Sequence, residues 1–221
     1  MKIDPRQALR NCDTLMLDMD GTVLDLAFDN YVWQELVPAQ YARQSDISDE
    51  EARAYLYSRY RTLQGKLDWY CIDHWRDQLG LDPIAIHRRA TDRINYLPGA
   101  RRFLETMSKR EVRLLLVTNS HRETLALKTE VTGVTDFFDE VYTSHDIGHA
   151  KEDQPFWEAL QRAESFDPSS TLFIDDNPAV LRSARRFGVE MLLTVTRPDT
   201  SAPLRDGNEF TGVRGVVDLL R

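Results

Sequence analysis

The chain has 221 residues, 42% of them hydrophobic and 10% aromatic, with 36 acidic against 28 basic side chains and a formal charge of −8. That length suits one large domain or a core carrying an insertion, and it supports a hydrophobic interior without disulfide staples. The acidic balance argues against nucleic acid or an anionic membrane as main partner, since both require a basic face, and leaves a local cationic pocket as the place for any anionic substrate.

In chain order, Met1-Lys2-Ile3-Asp4-Pro5-Arg6 carries no apolar leader-like core, and no stretch approaches membrane-span length, so a soluble cytoplasmic protein is expected. Cys12 and Cys71 are far apart and outside any metal-like spacing, which predicts reduced thiols. The first apolar run, Thr14 to Leu17, ends in Asp18-Met19-Asp20-Gly21-Thr22. A strand alternates its side chains, so two acids two positions apart share a face, and a turn at the strand's end lets both converge. Anions that close repel unless a cation neutralises them, and hard oxygen ligands favour Mg²⁺.

Residues 24–96 differ in kind. They hold no β-branched run and are dense in aromatics, among them Phe28, Tyr31, Trp33, Tyr60, Trp69 and Trp75, recurring at three to four positions. Four or so helices are expected, with breaks near Pro38, Gln44 to Ser48, Gly65-Lys66 and Gly80 to Pro83. Such a stripe is first of all a bundle core. Phe28, Tyr31 and Trp33, just past the acidic turn, are the rings expected to face a ligand.

After Pro98-Gly99 the chain alternates. Apolar runs at Arg113 to Val117, Val141 to Thr143, Thr171 to Ile174 and Met191 to Val195 are separated by helical spacing at 99–109, 123–130, 155–163 and 178–187. Gly133 and Gly188 fall where helices should stop. A loop from Arg197 to Gly212 and a short amphipathic end, Val213 to Leu220, close the sequence. Continuous runs alternating with amphipathic segments indicate an α/β fold, a Rossmann-like parallel sheet covered on both faces. Residues 1–23 and 97–221 then form the core domain and 24–96 an inserted helical cap.

In an open parallel sheet, ligands bind beyond the carboxyl ends of the strands. The run tails there supply Asp18 and Asp20, then Thr118-Asn119-Ser120, then Lys151 after the third run, then Asp175-Asp176. Taken singly, Thr118 and Ser120 read equally as helix caps, the acidic pair as a cap before Pro178, and Lys151 as a solvated lysine. As an ordered set at strand ends they make a phosphoryl-transfer site: carboxylates for a metal, an ammonium, and an N–H-rich hydroxyl turn. The His145/His149 pair reads as incidental.

The order of these motifs resembles the haloacid dehalogenase superfamily over the whole chain, with Asp25 as a further family-typical acid. Glu152 departs from it, standing where many relatives have proline, as does Asn177-Pro178 after Asp176. The resemblance implies a C1-type cap and a Mg²⁺-dependent phosphomonoester hydrolase. Asp18 would be the nucleophile and Asp20 the acid and base. Lys151 would be a catalytic cation that also binds substrate with Thr118, Asn119 and Ser120. The metal would be held by Asp18, Asp175, Asp176 and the main-chain carbonyl of Asp20. The longer strings 24–31, 68–71 and 151–154 resemble the branch of nucleotidases acting on GMP and IMP, which implies a purine nucleoside monophosphate as the small-molecule partner. A sugar-phosphate phosphatase or phosphomutase keeps the same motifs. A dehalogenase does not need an acid at position 20, a phosphonate hydrolase would need Lys66 as its cap lysine, and a non-enzymatic phospho-receiver would lack the cap.

Overall fold

The apolar runs become one sheet. In the computed structural model, which describes residues 3–206 and 209–220, the strands are β1 (Thr14–Leu17), β2 (Arg113–Thr118), β3 (Glu140–Thr143), β4 (Thr171–Asp175), β5 (Met191–Val195) and β6 (Thr211–Val213). All pair parallel, in the order β3-β2-β1-β4-β5-β6. Met1 and Lys2 of the amino-terminal stretch, and Gly207 and Asn208 of the Arg197–Gly212 loop, lie outside the described residues. Among the described residues no helix is long and apolar enough to cross a membrane.

Period-two alternation sorts the strands between two faces. Leu15, Leu17, Leu114, Leu116, Leu172 and Ile174 face one apolar cluster, while Met16, Leu115, Val117 and Phe173 face the other. Each such fully buried side chain stabilises the fold by about 1.5–3 kcal/mol. Helices α1 (Pro5–Asn11) and α8 (Ala100–Met107) cover the first face, and α11 (Gln154–Glu164) and α12 (Pro178–Phe187) the second. Helix α9 (Arg122–Thr132) stops at Gly133 and α12 at Gly188, each glycine in the left-handed region as expected.

Two readings are corrected. The Arg197–Gly212 loop does not run to its expected end: Thr211–Val213, spanning its last two residues and the first of the amphipathic end, adds a sixth strand, in register with Leu193 to Val195 of β5. Three residues containing a glycine carry no periodic signal, so neighbouring strand context decides. The break at Pro38 is also absent. The chain stays helical from α2 (Ala27–Tyr31) through a π-helical segment, Val32–Leu36, into α3 (Val37–Ser45). The wide turn sends the Val37 N–H to the Val32 carbonyl just before the proline, whose missing N–H then falls in the first turn of α3.

The rest of the stretch is helical: α4 (Asp49–Leu63), α5 (Leu67–Tyr70), α6 (Ile72–Leu79) and α7 (Pro83–Arg88). Its rings pack chiefly on one another. Tyr60 meets Trp69 and Trp75 edge-on with centroids 5.1 and 5.2 Å apart, and Trp33 lies 5.8 Å from Trp75 and 5.7 Å from His87. The Trp75 indole N–H donates to the Trp69 carbonyl at 2.9 Å. The block enters and leaves through a paired neck, where the Leu97 N–H donates to the Val23 carbonyl and the Asp25 N–H to the Asn95 carbonyl, each at 2.9 Å.

Candidate active site

Strand order reverses beside β1, which opens a crevice at the carboxyl edge between β1 and β4. Leu17 pairs with Leu116 on one side and Ile174 on the other, so Asp18, Val117 and Asp175 stand level at that edge. The Asp18 N–H donates to the Ile174 carbonyl at 3.0 Å, continuing the ladder one residue past the strand.

Lys151 joins the strand ends. Its buried ammonium donates to Asp18 Oδ1 at 2.5 Å, to Asp175 Oδ2 at 2.8 Å and to the Val117 carbonyl at 3.0 Å, which uses all three protons. Burial alone would favour a neutral amine, but Asp175 and Asp18 outweigh it and raise the pKa. Burial pushes the Asp18 carboxyl well above its ordinary range; Lys151 opposes this, and Asp175 and Asp176 add to it. Asp18, Asp175 and Asp176 each bring one carboxylate oxygen within 4.8 Å of the others. Three hard anionic donors at this spacing fit a cation of the Mg²⁺ type. Gly21 is required there: at φ +85° a Cβ would meet the Asp176 carboxyl at 2.8 Å. Burial and Asp175 push Asp176 up to about 7, against Arg205, whose guanidinium stands 3.1 Å away.

Asp20 is not a member of that triad, though it lines one cavity with it. Its Oδ1 accepts from Lys128 Nζ at 2.7 Å, and Lys128 also reaches both oxygens of Asp29, at 2.8 and 2.9 Å. Burial and the Asp29 charge raise Asp20 to about 6, with Lys128 opposing. A carboxyl in that range both gives and takes a proton near neutrality. Lys128 was not singled out from the sequence, yet a signal exists, because it shares the inward face of α9 with Thr124 and Leu127.

The hydroxyl turn is built differently from a plain helix cap. His121, not Thr118 or Ser120, caps α9 by accepting the Glu123 N–H. Thr118 Oγ1 accepts the Ser120 N–H at 3.0 Å, so its own proton remains to be donated. The Asn119 side chain is committed to structure: Oδ1 accepts the Lys151 N–H at 2.9 Å and Nδ2 donates to Glu152 at 3.0 Å. Glu152, the departure from the expected motif, also accepts from the Tyr70 hydroxyl at 2.7 Å and from Asn177 at 3.3 Å. It thereby ties the helical block to two strand tails. Asn177 caps α12, and Asp175 Oδ1 accepts the Asn177 N–H at 2.7 Å. Asp25 anchors a loop, accepting the Thr200 N–H at 3.1 Å.

All these tails open on a cavity of about 770 Å³ roofed by Trp33, Tyr57, Tyr60, Arg61, Trp69 and Tyr70. Of the three rings expected to face a ligand only Trp33 lines it. Phe28 is 1% exposed, packed against His87, and Tyr31 lies under Arg93, 4.0 Å from its guanidinium. Lys66 does not line the cavity.

A family model described as haloacid dehalogenase-like hydrolase matches residues 12–188. The GMP/IMP nucleotidase YrfG of Escherichia coli is 41% identical over 193 residues, 87% of each chain, and the pyrophosphatase PpaX of Oceanobacillus iheyensis is 25% identical, covering 80% of each. Among solved structures, the HAD phosphatase from Thermococcus onnurineus superposes with a TM-score of 0.74 at 21% identity, covering 94% of this chain and 95% of that one. The L-2-haloacid dehalogenase of Xanthobacter autotrophicus gives 0.62 at 16%, covering 94% and 96%.

Proposed function

Because the chain belongs to the haloacid dehalogenase-like hydrolases, we propose that it hydrolyses purine nucleoside monophosphates, GMP and IMP, through an aspartyl phosphate on Asp18. The observation that carries the reading is the meeting of Asp18, Lys151 and Asp175 from three separate strand tails at the floor of one cavity. Lys151 fixes one Asp18 oxygen and leaves the other to attack phosphorus. As that oxygen bonds to phosphorus, the bond to the ribose oxygen breaks, and Asp20 gives its proton to the leaving alkoxide. Asp20 then takes a proton from the water that cleaves the acyl phosphate, restoring Asp18. Lys128, held between Asp29 and Asp20, is the positioning residue for this acid and base. The Thr118 hydroxyl, with the Asn119 and Ser120 turn, is set to hold phosphoryl oxygens. Mg²⁺, when bound by Asp18, Asp175, Asp176 and the Asp20 carbonyl, supplies neutralisation of phosphoryl charge.

The division of labour follows the neck. Residues 24–96 act as a cap that selects substrate, and 1–23 with 97–221 as the catalytic core; the paired crossing at Val23–Leu97 supports that boundary. The aromatic roof and Arg61 suit a purine base, since stacking of one base on a ring is worth about 1–3 kcal/mol. Cys12 and Cys71 are both unpaired, in keeping with a cytoplasmic setting.

The test is phosphate release by purified protein with Mg²⁺ over nucleoside and sugar monophosphates, with Asp18→Asn as control. GMP and IMP should give the highest kcat/KM, and the variant none. Equal turnover of pyrimidine or sugar phosphates would refute the purine assignment, and activity in Asp18→Asn the covalent route.

A further inference from the structure

A second cluster of ligand-type side chains meets the cavity through His121, apart from the carboxylates. Cys71 sits between α5 and α6 of the helical block, and His121 follows β2. His145 lies in the short helix α10 (Ser144–Ile147), after β3. One donor atom of each lies within 4.8 Å of the other two. The imidazoles meet edge-on, with centroids 4.7 Å apart.

The hydrogen bonds leave a vacant lone pair. The Ser144 hydroxyl gives its only proton to the Asn119 carbonyl at 3.1 Å, so at 3.3 Å it must accept from His145 Nδ1. His145 therefore carries its proton on Nδ1, and Nε2 is a bare acceptor. That nitrogen is buried and has no hydrogen-bond partner. A buried acceptor left unsatisfied costs about 1–3 kcal/mol, and such groups point to a function. Cys71 Sγ accepts the His74 N–H at 3.4 Å, a contact that favours a metal-bound thiolate. His121 Nδ1 accepts the Glu123 N–H at 3.3 Å, so ligation through Nε2 requires its proton to move to Nδ1, where the Glu123 carboxylate stands 4.0 Å away, and that cap to open. The flanking carboxylates of Asp73 and Glu123 are each already paired with Arg76.

We infer that Cys71, His121 and His145 form a second metal site, for a borderline-soft divalent ion of the Zn²⁺ class. One thiolate and two imidazoles select such ions over Mg²⁺. Tetrahedral bonds of about 2.0–2.3 Å set donors roughly 3.4–3.8 Å apart, a contraction that side-chain rotation supplies. The ion would bridge the helical block to the tails of β2 and β3. Asp73 Oδ2, 3.6 Å from His121 Nε2, or a water would complete the shell.

Co²⁺ is the probe, titrated into the whole protein in excess Mg²⁺. One Co²⁺ per chain should bind with a thiolate-to-cobalt charge-transfer band. The band should survive Cys12→Ala, vanish in Cys71→Ser, and need at least tenfold more Co²⁺ in His145→Gln. X-ray absorption on the Zn²⁺-loaded wild type should find sulfur and nitrogen ligands, whatever the variants do to folding. Oxygen-only ligation, or a band that persists in Cys71→Ser, would overturn the site.

Discussion

The carboxyl edge of the sheet and the helical block above it are both crowded with functional-looking side chains, but they use them in opposite ways. At the edge, buried charge is concentrated and compensated: Lys151 and Lys128 each bind two carboxylates with almost no exposure. In the block, rings satisfy one another, and one side of that cluster is left as a wall of the cavity. The edge stores electrostatic work for a reaction at some cost to stability, since buried ion pairs repay their desolvation poorly. The block stores packing energy and shapes access. A substitution at the edge should therefore remove turnover and spare the fold, whereas one in the ring cluster should do the reverse.

Four measurements break or sharpen that contrast. Asp18→Asn should lower kcat by at least about 10⁴-fold while circular dichroism stays that of the wild type. Unfolding of this variant would put Asp18 in the structural class. Trp75→Ala, at the centre of the rings and 1% exposed, should cost about 3–5 kcal/mol in denaturant unfolding. A loss under 1 kcal/mol would mean that the cluster is not what holds the block together. Lys128→Met should reduce kcat roughly hundredfold, about 2.7 kcal/mol of barrier, with KM changed less than threefold. A rise in KM alone would make Lys128 a substrate contact.

The smallest effect is a pH dependence inside the block. Burial lowers His87 to about 4, with its Nδ1 2.6 Å from the Pro83 carbonyl and Nε2 unpartnered. Its folded pKa lies below the unfolded value near 6.5, so unfolding takes up a proton between the two. The stability is complete above about pH 6.5 and is lost progressively as pH falls toward 4. In His87→Phe the melting temperature should fall less steeply across that window.

The same contrast explains what could be read from the sequence. The strands and their acidic tails were legible because buried parallel strands write continuous apolar runs, and because two close carboxylates have few packing uses. Thr211–Val213 was not, since its pairing comes from β5 and not from its own residues. In the block, helical spacing reveals an apolar face but not whether other helices or a cavity cover it, so it does not separate Trp33, which lines the cavity, from Phe28 and Tyr31, which do not. Lys128 was missed because its partners lie 108 and 99 positions away. Cys71, His121 and His145 come from three elements, and no local spacing links them.

The neck described above has a consequence for how such molecules diversify. Since the chain leaves at Val23 and returns at Leu97 with two backbone hydrogen bonds across the crossing, the ends of the segment between already meet. Lengthening, shortening or exchanging it demands no new closure of the flanking backbone, so ancestry can rewrite what is admitted while the chemistry beneath is inherited whole.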